Sequence, residues 1–553
     1  GGASGPVSFM KIYDAATEQV KQGGSRRGAN MGILRVDHPD VLDFIHCKES
    51  GGITNFNISV AATDVFMEAY AQGKEYDLLD PKTKRVIKKL DARKVMREIA
   101  QGAWETGDPG MVFIDRMNAG SGNPVPSLGP IESTNPCGEQ QLYPFDVCNL
   151  GSIFLTYFIR PATDGSRQVD WEKLEKTTKL AVRFLDSVIE RNPYPLPQIR
   201  EMAHKIRRIG LGVGGWADML VQLGISYDSQ EAIDLAEKVM RFINEKGHEA
   251  SQELVSERGV FPAFGESIYK DDRPIRNSTV TTIAPTGTIA IIANSSTGIE
   301  PYFAIAFKHY VKTAALERTM FFANPIFEEM VRGQSWYTQE VKEKIADQGT
   351  IAHIEEVPED LRRIFTTAHD VAPQWHVRMQ AAFQKFTDNS VSKTINLPHE
   401  ATVDDIEKAY ILAYEQGCNG ITVYRDGCKE AQVLNVGTKT VNGHAELRVR
   451  PIKVEGATYR IETPLGTAFI TVNHDGNRDP FEVFINVGRA GSEVAAMAEA
   501  IGRLISTTLR FGNHLPAKER AREIIEQLHG IGGANAVGFG VNRVRSLPDA
   551  VAK

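Results

Sequence analysis

The chain has 553 residues, 42% of them apolar and 24% charged, with a formal net charge of −7. That composition fits a globular enzyme of about three or four domains, and it excludes collagenous or low-complexity chains and any need for a disulfide or metal staple. The acidic balance argues against nonspecific nucleic-acid binding, and no run approaches the roughly 18 apolar residues of a membrane span. Nor does the N-terminus, GGASGPVSFM, have the basic and apolar regions of a secretory signal. Five cysteines with no CxxC pair point to a reducing, cytoplasmic setting. No histidine stands at ligand spacing to them, so no metal site is expected.

Near the start, Gly23, Gly24 and Ser25 form a flexible loop followed by Arg26 and Arg27. Such a loop can close over an anionic nucleotide, although a solvated surface loop is the commoner outcome. ITNFNISV (53–60) reads as a strand, and Lys82 to Lys94 as the solvated face of a helix.

The most informative stretch is STNPCGEQQLYPFDVCNLGS (133–152). Asn135, Cys137 and Glu139 are spaced i, i+2, i+4, which in an extended segment puts an amide, a thiol and a carboxylate on one face. Pro136 biases Asn135 toward extended backbone, and Gly138 permits close approach of a ligand or neighbouring chain. Such a face combines a hydrogen-bond donor, a nucleophilic or one-electron centre and a general base. Cys148, eleven positions after Cys137, is close enough for a folded-back loop to bring it to the same pocket. Equally, the segment reads as a turn with two small buried thiols, since cysteine packs well in cores.

Further along, Asp170 caps a helix with apolar positions Trp171, Leu174, Thr178, Ala181, Leu185 and Val188, and a second helix carries Ile233, Ala236, Met240 and Ile243. Between them, Gly210, Gly212 and Gly215 fit the spacing of a dinucleotide fingerprint. The preceding EMAHKIRRI is charged and helical, not a hydrophobic strand, so these glycines read as close backbone packing. STVTTIAP (278–285) reads as a strand running into Pro285, Thr286, Gly287, Thr288 and Ile289 and then a helix. Free N–H groups there suit a phosphate; a threonine-capped helix start is the commoner outcome. GITVYRDG (420–427) is another strand. Strands alternating with long helices indicate an α/β architecture. After Val433 the texture changes, giving domains at 1–434 and 453–553 with a polar linker at 435–452. TYRIET (458–463), GTAFITVNHD (466–475, with an Asp475-Gly476 turn) and FEVFINVG (481–488) alternate like antiparallel strands, and helices follow around 493–510 and 516–529: a small α+β domain.

Together, SGPVSFM (4–10), GGSRRGANMG (23–32), NPCGEQ (135–140), CNLGS (148–152), RRIGLGVGGWADML (207–220), APTGTIA (284–290), GIEPYFA (298–304), SKTINLP (392–398) and GITVYRDG resemble the catalytic chain of ribonucleotide reductases, in particular the adenosylcobalamin-dependent (class II) group. The region 451–553 resembles the small C-terminal domain often appended to cobalamin-dependent members. The resemblance implies a ten-stranded α/β barrel with the reactive thiol on a central loop. It implies a thiyl radical on Cys137, a general base at Glu139, ribose binding by Asn135, and Cys148 as half of a reducing dithiol. It further implies substrate-phosphate binding by 285–289 and effector coupling through Gly23 to Arg27. Adenosylcobalamin is then the implied cofactor. Ribonucleoside diphosphates are the substrates, deoxynucleotides or ATP the effectors, a thioredoxin- or glutaredoxin-type protein the reductant, and a homodimer the assembly.

The family's second redox cysteine lies upstream of SGPVSFM, and no cysteine follows Cys428. The chain is therefore expected to be a piece of a longer reductase, truncated at both ends, that does not sustain turnover alone. Rival readings are a class I large chain, disfavoured because no tyrosine follows Tyr459; a glycyl-radical enzyme, for which no convincing loop is visible; and a nonenzymatic nucleotide-binding relic.

Overall fold

In the barrel walls, branched apolar residues alternate with small or polar ones, and the period of two sends each set to its own face. The computed structural model describes residues 5–19, 21–22, 26–49, 51–313, 316–428, 450–475, 479–489, 491–510, 516–533 and 535–553. They separate into two units, 1–437 and 438–553. In the first, β1 (Asn30–Arg35), β2 (Phe56–Ala62), β3 (Gly110–Phe113), β4 (Asn149–Phe154), β5 (Ile209–Gly214), β6 (Thr394–Leu397) and β7 (Gly420–Arg425) form two ladders. One has the order β6-β7-β3-β2-β1, and the other pairs β4 with β5. All these pairs are parallel except β7 with β3.

Ile395, Leu397, Ile421 and Val423 join a core with the helices Ala92–Thr106, Pro373–Gln384 and Val403–Glu415. Each such buried side chain contributes about 1.5–3 kcal/mol. Their neighbours Thr394, Asn396, Thr422 and Tyr424 line a cavity on the other face.

The strand expected at 278–285 appears as single bridges, Leu211 of β5 to Thr281 and Ile283 to Val391, which lies just before β6. Asp388 explains the broken pattern. Its carboxylate takes the backbone N–H groups of Val280 (2.7 Å) and Thr281 (3.1 Å) that a partner strand would otherwise use. It also accepts from His248 (2.9 Å) and Asn244 (3.0 Å). The architecture is the expected α/β barrel type, but among the described residues the ladders do not close into a ten-stranded ring.

The Asp388–His248 pair makes stability pH-dependent at both ends. Burial alone would push the Asp388 carboxyl up, yet His248 and the N–H donors hold it down to about 2. Its contribution is therefore full above the unfolded value near 3.9 and is lost as pH falls toward 2. Burial pulls the His248 imidazole down, but Asp388 prevails and raises it. Its contribution is present below the unfolded value near 6.5 and disappears as pH rises through the raised folded value. Urea titrations should show His248→Asn removing the alkaline decline while sparing part of the acid one.

One local expectation needs correction. Lys82 to Lys94 is not one helix face: Val86–Asp91 pairs with Glu75–Leu79 as an exposed hairpin. The helix begins only at Ala92, where Asp91 caps it by accepting from Arg93 and Lys94 N–H. The glycine cluster does pack closely. A Cβ at Gly212 would lie 2.1 Å from the carbonyl oxygen of Thr282, so β5 can lie against 278–285 only without a side chain there. Asp170 caps Trp171–Arg191 as read from the sequence, accepting from Lys173 N–H at 3.1 Å.

The second unit holds β8 (Glu455–Thr463), β9 (Gly466–His474) and β10 (Pro480–Asn486), antiparallel in that order. Helices Glu493–Arg510 and Ala517–Leu528 follow, and Ala498, Ile505 and Leu509 pack on Ile470, Val483 and Ile485. Gly476 and most of the linker read at 435–452 lie outside the described residues.

Candidate functional site

Asn135, Cys137 and Glu139 do not share the face of an extended strand. Ser133–Thr134 and Gln141–Leu142 pair as a short hairpin, and the residues between them form its turn. Gly138 N–H donates to Asn135 O (3.0 Å), Asn135 N–H to Gln140 O (3.2 Å), and Gln140 N–H to Asn135 Oδ1 (3.0 Å). Pro136 fits the second turn position, and Gly138, at φ +80°, takes the left-handed conformation that closes it. The turn separates two environments: Cys137 is exposed at the tip, whereas Glu139 is only 2% exposed. Burial pushes the Glu139 carboxyl up, while a hydrogen bond from the Asn135 side chain opposes the shift.

The turn is fastened from both sides. Asn57 of β2 donates to Pro136 O at 2.7 Å. Ser390 N–H and the Thr282 hydroxyl both donate to Glu139 O at 2.9 Å. Cys137 thus borders a cavity of about 510 Å³ whose walls include Asn57, Ser59, Val112, Asn396, Thr422 and Tyr424.

Cys148 immediately precedes β4, and Arg208 immediately precedes β5. Because Asn149 pairs with Ile209, the two stand opposite each other one step before the ladder begins. Burial raises the Cys148 thiol above its usual value; Arg208 opposes that shift, and Asp146 and Glu139 add to it. Arg208 is itself buried, donating to Asp146 (2.9 Å), Asn389 (2.8 Å) and Gly122 O (3.2 Å). The preceding Arg207 takes a left-handed φ of +47°, which turns it the other way, onto buried Asp186 at 2.8 Å.

At the opposite end of the ladder lies the 285–289 segment, where Gly214 abuts the Thr286 hydroxyl. Thr286 stands at the N-cap position of helix Gly287–Ile292 but does not cap it with its side chain. Its hydroxyl instead accepts from Gly298 N–H at 2.7 Å, which holds the residue at φ +58°. Pro285, Gly287, Thr288 and Ile289 are exposed, leaving the first N–H groups of the helix turned to an outside partner. Asp218 anchors the return segment through Ser295, Ser296 N–H and Tyr302, at 2.7–2.8 Å.

Of the remaining sequence candidates, Gly23, Gly24 and Ser25 lie outside the described residues. Arg26–Arg27 forms a short antiparallel pair with Lys21–Gln22. Among the described residues, no group of three or more His, Cys, Asp or Glu could hold a metal ion, and no helix is long and apolar enough to cross a membrane. Cys47 and Cys418 are buried in the core, as expected.

Sequence reasoning missed the cavity wall and a buried lysine within it. Lys393 Nζ donates to Glu300 (2.5 Å), His376 Nδ1 (3.1 Å) and Thr394 O (3.3 Å), and Glu300 also accepts Thr394 N–H at 2.7 Å. The wall alternation in SKTINLP and GITVYRDG is the signal that could have exposed the former.

The thiol stands at a hairpin tip beside the cavity, with a buried carboxylate two residues on, in a fold of the α/β barrel type. The family described as "Ribonucleotide reductase, barrel domain" matches residues 1–274 and 271–424, and the chain belongs to it. Residues 440–553 match the TSCPD domain. The chain is 49% identical over 441 residues to the vitamin B12-dependent ribonucleoside-diphosphate reductase of Thermoplasma acidophilum, covering 79% of this chain and 56% of that protein. The same-named protein of Mycobacterium tuberculosis is 46% identical over 437 residues, covering 79% and 62%. The chain thus spans 56% to 62% of the length of these two relatives. The Actinobacillus ureae class Id ribonucleotide reductase alpha subunit has a similar fold, with a TM-score of 0.63 at 24% identity, covering 77% of this chain and 75% of that one.

Proposed function

We propose that the chain is the catalytic part of an adenosylcobalamin-dependent reductase that converts ribonucleoside diphosphates to 2′-deoxyribonucleoside diphosphates. One observation carries this reading: Cys137 stands at the hairpin tip beside a cavity, with Glu139 buried in the same turn and hydrogen-bonded to Asn135. The names of the relatives above favour cobalamin over a separate radical-generating subunit.

The cavity fits the nucleoside part of that cofactor. Its volume lies in the range of small-molecule pockets, and apolar walls with a few converging polar groups, among them Asn396, Thr422 and Tyr424, suit an adenosyl group. When bound, adenosylcobalamin supplies a metal–carbon bond weak enough to open into radicals. Cys137, as a thiyl, takes the ribose 3′-hydrogen: a C–H bond breaks and an S–H bond forms. Glu139 accepts the 3′-hydroxyl proton, and Asn135 holds both the carboxylate and the sugar in register. Cys148 contributes one of the two thiols that supply reducing equivalents as the 2′-hydroxyl leaves as water. The segment Pro285 to Ile289 receives the phosphates, with backbone N–H donors from Thr286 onward, and the segment from Gly23 to Arg27 couples effector binding to base choice. Residues 453–553 form the appended domain. A cytoplasmic homodimer re-reduced by a thioredoxin- or glutaredoxin-type protein completes the reading.

Freeze-quench EPR tests it, on this chain and on its longer gene product, with adenosylcobalamin, a ribonucleoside diphosphate and a deoxynucleotide. An exchange-coupled cobalt–thiyl signal that vanishes in Cys137→Ser is expected; silence from both proteins overturns the cobalamin assignment. A second expected result concerns Glu139. A general base must be ionised, so its raised pKa should put the acid limb of the kcat/KM profile above the usual carboxylate range near 4.3. Glu139→Gln should abolish that limb and lower kcat by about 10²- to 10⁴-fold.

A further inference from the structure

The chain-wide net charge of −7 hides a difference between the two units. Residues 438–553 carry 15 lysines and arginines against 12 aspartates and glutamates, so the second unit is basic although the chain is acidic. Within that unit a groove of about 860 Å³ lies between β10 and the helix Glu493–Arg510, and Arg450, Arg503 and Arg510 all line it. The helix stripe from Ala495 through Glu499, Arg503 and Thr507 to Arg510 follows the groove for about 22 Å. That length suits an extended chain better than a compact ligand.

The groove opens beside an aromatic sheet face. Alternation along β9 and β10 sends Ala468, Ile470, Val483 and Ile485 into the core, and Phe469 and Phe484 to the opposite side. There the two rings stay 47% and 49% exposed. Phe469 pairs with Asn486 and Thr471 with Phe484, so the two aromatics are diagonal neighbours about 7–8 Å apart. Together they form a patch, unlike the scattered single residues that need no account. Phe484 and Asn486 also line the groove, which makes the aromatic face and the arginine-bearing wall continuous.

The chemistry of the walls selects the ligand. Three guanidinium groups disfavour a cation, and so polar a wall disfavours a lipid. An acidic peptide would satisfy the arginines but leave the rings without flat partners. A single strand of nucleic acid supplies both: phosphates in a row, and bases whose faces stack on aromatic side chains whatever the sequence. We propose that the second unit binds single-stranded nucleic acid, with phosphates along Arg503 and Arg510 and two successive bases on Phe469 and Phe484. Arg450 stays tied to Glu482 by two bonds, at 2.8 and 2.9 Å, and shapes the wall. Arg503 meets Glu499 as an exposed pair, so exchanging that carboxylate for a phosphate costs little. The inference is independent of the reductase reading. It confines to the first unit the acidity that argues against nucleic-acid binding.

The test is fluorescence anisotropy of a labelled oligothymidylate with the full chain across a salt series. Binding should weaken with salt at a log–log slope of about −1.4, for roughly two phosphates. Phe469→Ala and Phe484→Ala should each weaken it about 5- to 150-fold without changing that slope, whereas Arg503→Gln should reduce the slope by about 0.7. All three side chains are exposed, so the melting temperature of each variant should match the wild type. No binding by the wild type at low salt overturns the proposal. Wild-type affinity in a folded Phe469→Ala, Phe484→Ala double variant does so too, because the strand then sits elsewhere on the chain. Competition by thymidine monophosphate or polyglutamate as effective as that of the unlabelled strand would make the groove a site for a free nucleotide or an acidic peptide, and the proposal fails.

Discussion

Replacing Cys137 with serine should abolish nucleotide reduction in the full-length enzyme while leaving the fold and CDP affinity unchanged. The reasoning begins with the position of the residue. Cys137 is the exposed tip of a turn held by backbone bonds of Asn135, Gly138, Glu139 and Gln140. Serine therefore fits without strain. What it cannot do is give up a hydrogen atom from oxygen as readily as cysteine does from sulfur. The loss should exceed the roughly 10²- to 10⁴-fold that removal of a positioned acid or base produces, and Cys148 should not substitute. Cys148 stands just before β4 opposite Arg208, and it is not among the residues that line the cavity beside Cys137. Turnover and CDP binding measured on the same preparation separate this outcome from misfolding. Retained turnover would remove Cys137 from the radical chemistry.

Local signals in the sequence were read well where one segment carried them. Asp170 announced its helix because an N-cap acts within one turn, and Gly210, Gly212 and Gly215 announced close packing, as at Gly212, where only a missing Cβ admits Thr282 at 2.1 Å. The alternation at 458–488 likewise became a three-stranded sheet. The hairpin at 135–139 was harder. Spacing alone allowed either a shared extended face or a turn, and the choice is made by bonds from Asn135 to residues three and five positions on, and by Asn57 of a distant strand. The cavity wall was least legible. It needs Asn57, Thr394, Asn396 and Thr422 on one inner face, and their adjacency depends on strand order and not on spacing. The break at 278–285 has the same origin: Asp388, more than a hundred residues away, takes N–H groups that local β propensity assigns to a strand.

Lys393→Met should cause the largest loss of stability among the substitutions considered, about 3–5 kcal/mol. Lys393 immediately precedes β6 and lines the cavity, and its side chain is fully buried. Burial pulls its ammonium pKa down, and Glu300 opposes that shift at 2.5 Å. Removing the cation leaves the Glu300 carboxylate with Thr394 N–H but without its counter-charge, and it deprives His376 Nδ1 of its donor. Burial, with Lys393 next, keeps that imidazole well below its usual pKa and hence neutral, so it cannot take over the role of the cation. The pair also joins two halves of the site. Glu300 lies in the return segment held by Thr286 and Asp218, and Thr394 lines the Cys137 cavity. Denaturant unfolding should therefore show the single variant strongly destabilised, while Lys393→Met with Glu300→Gln recovers a substantial part, because no uncompensated charge remains. A single variant as stable as the wild type would mean that the ion pair contributes little beyond what well-packed apolar groups would supply.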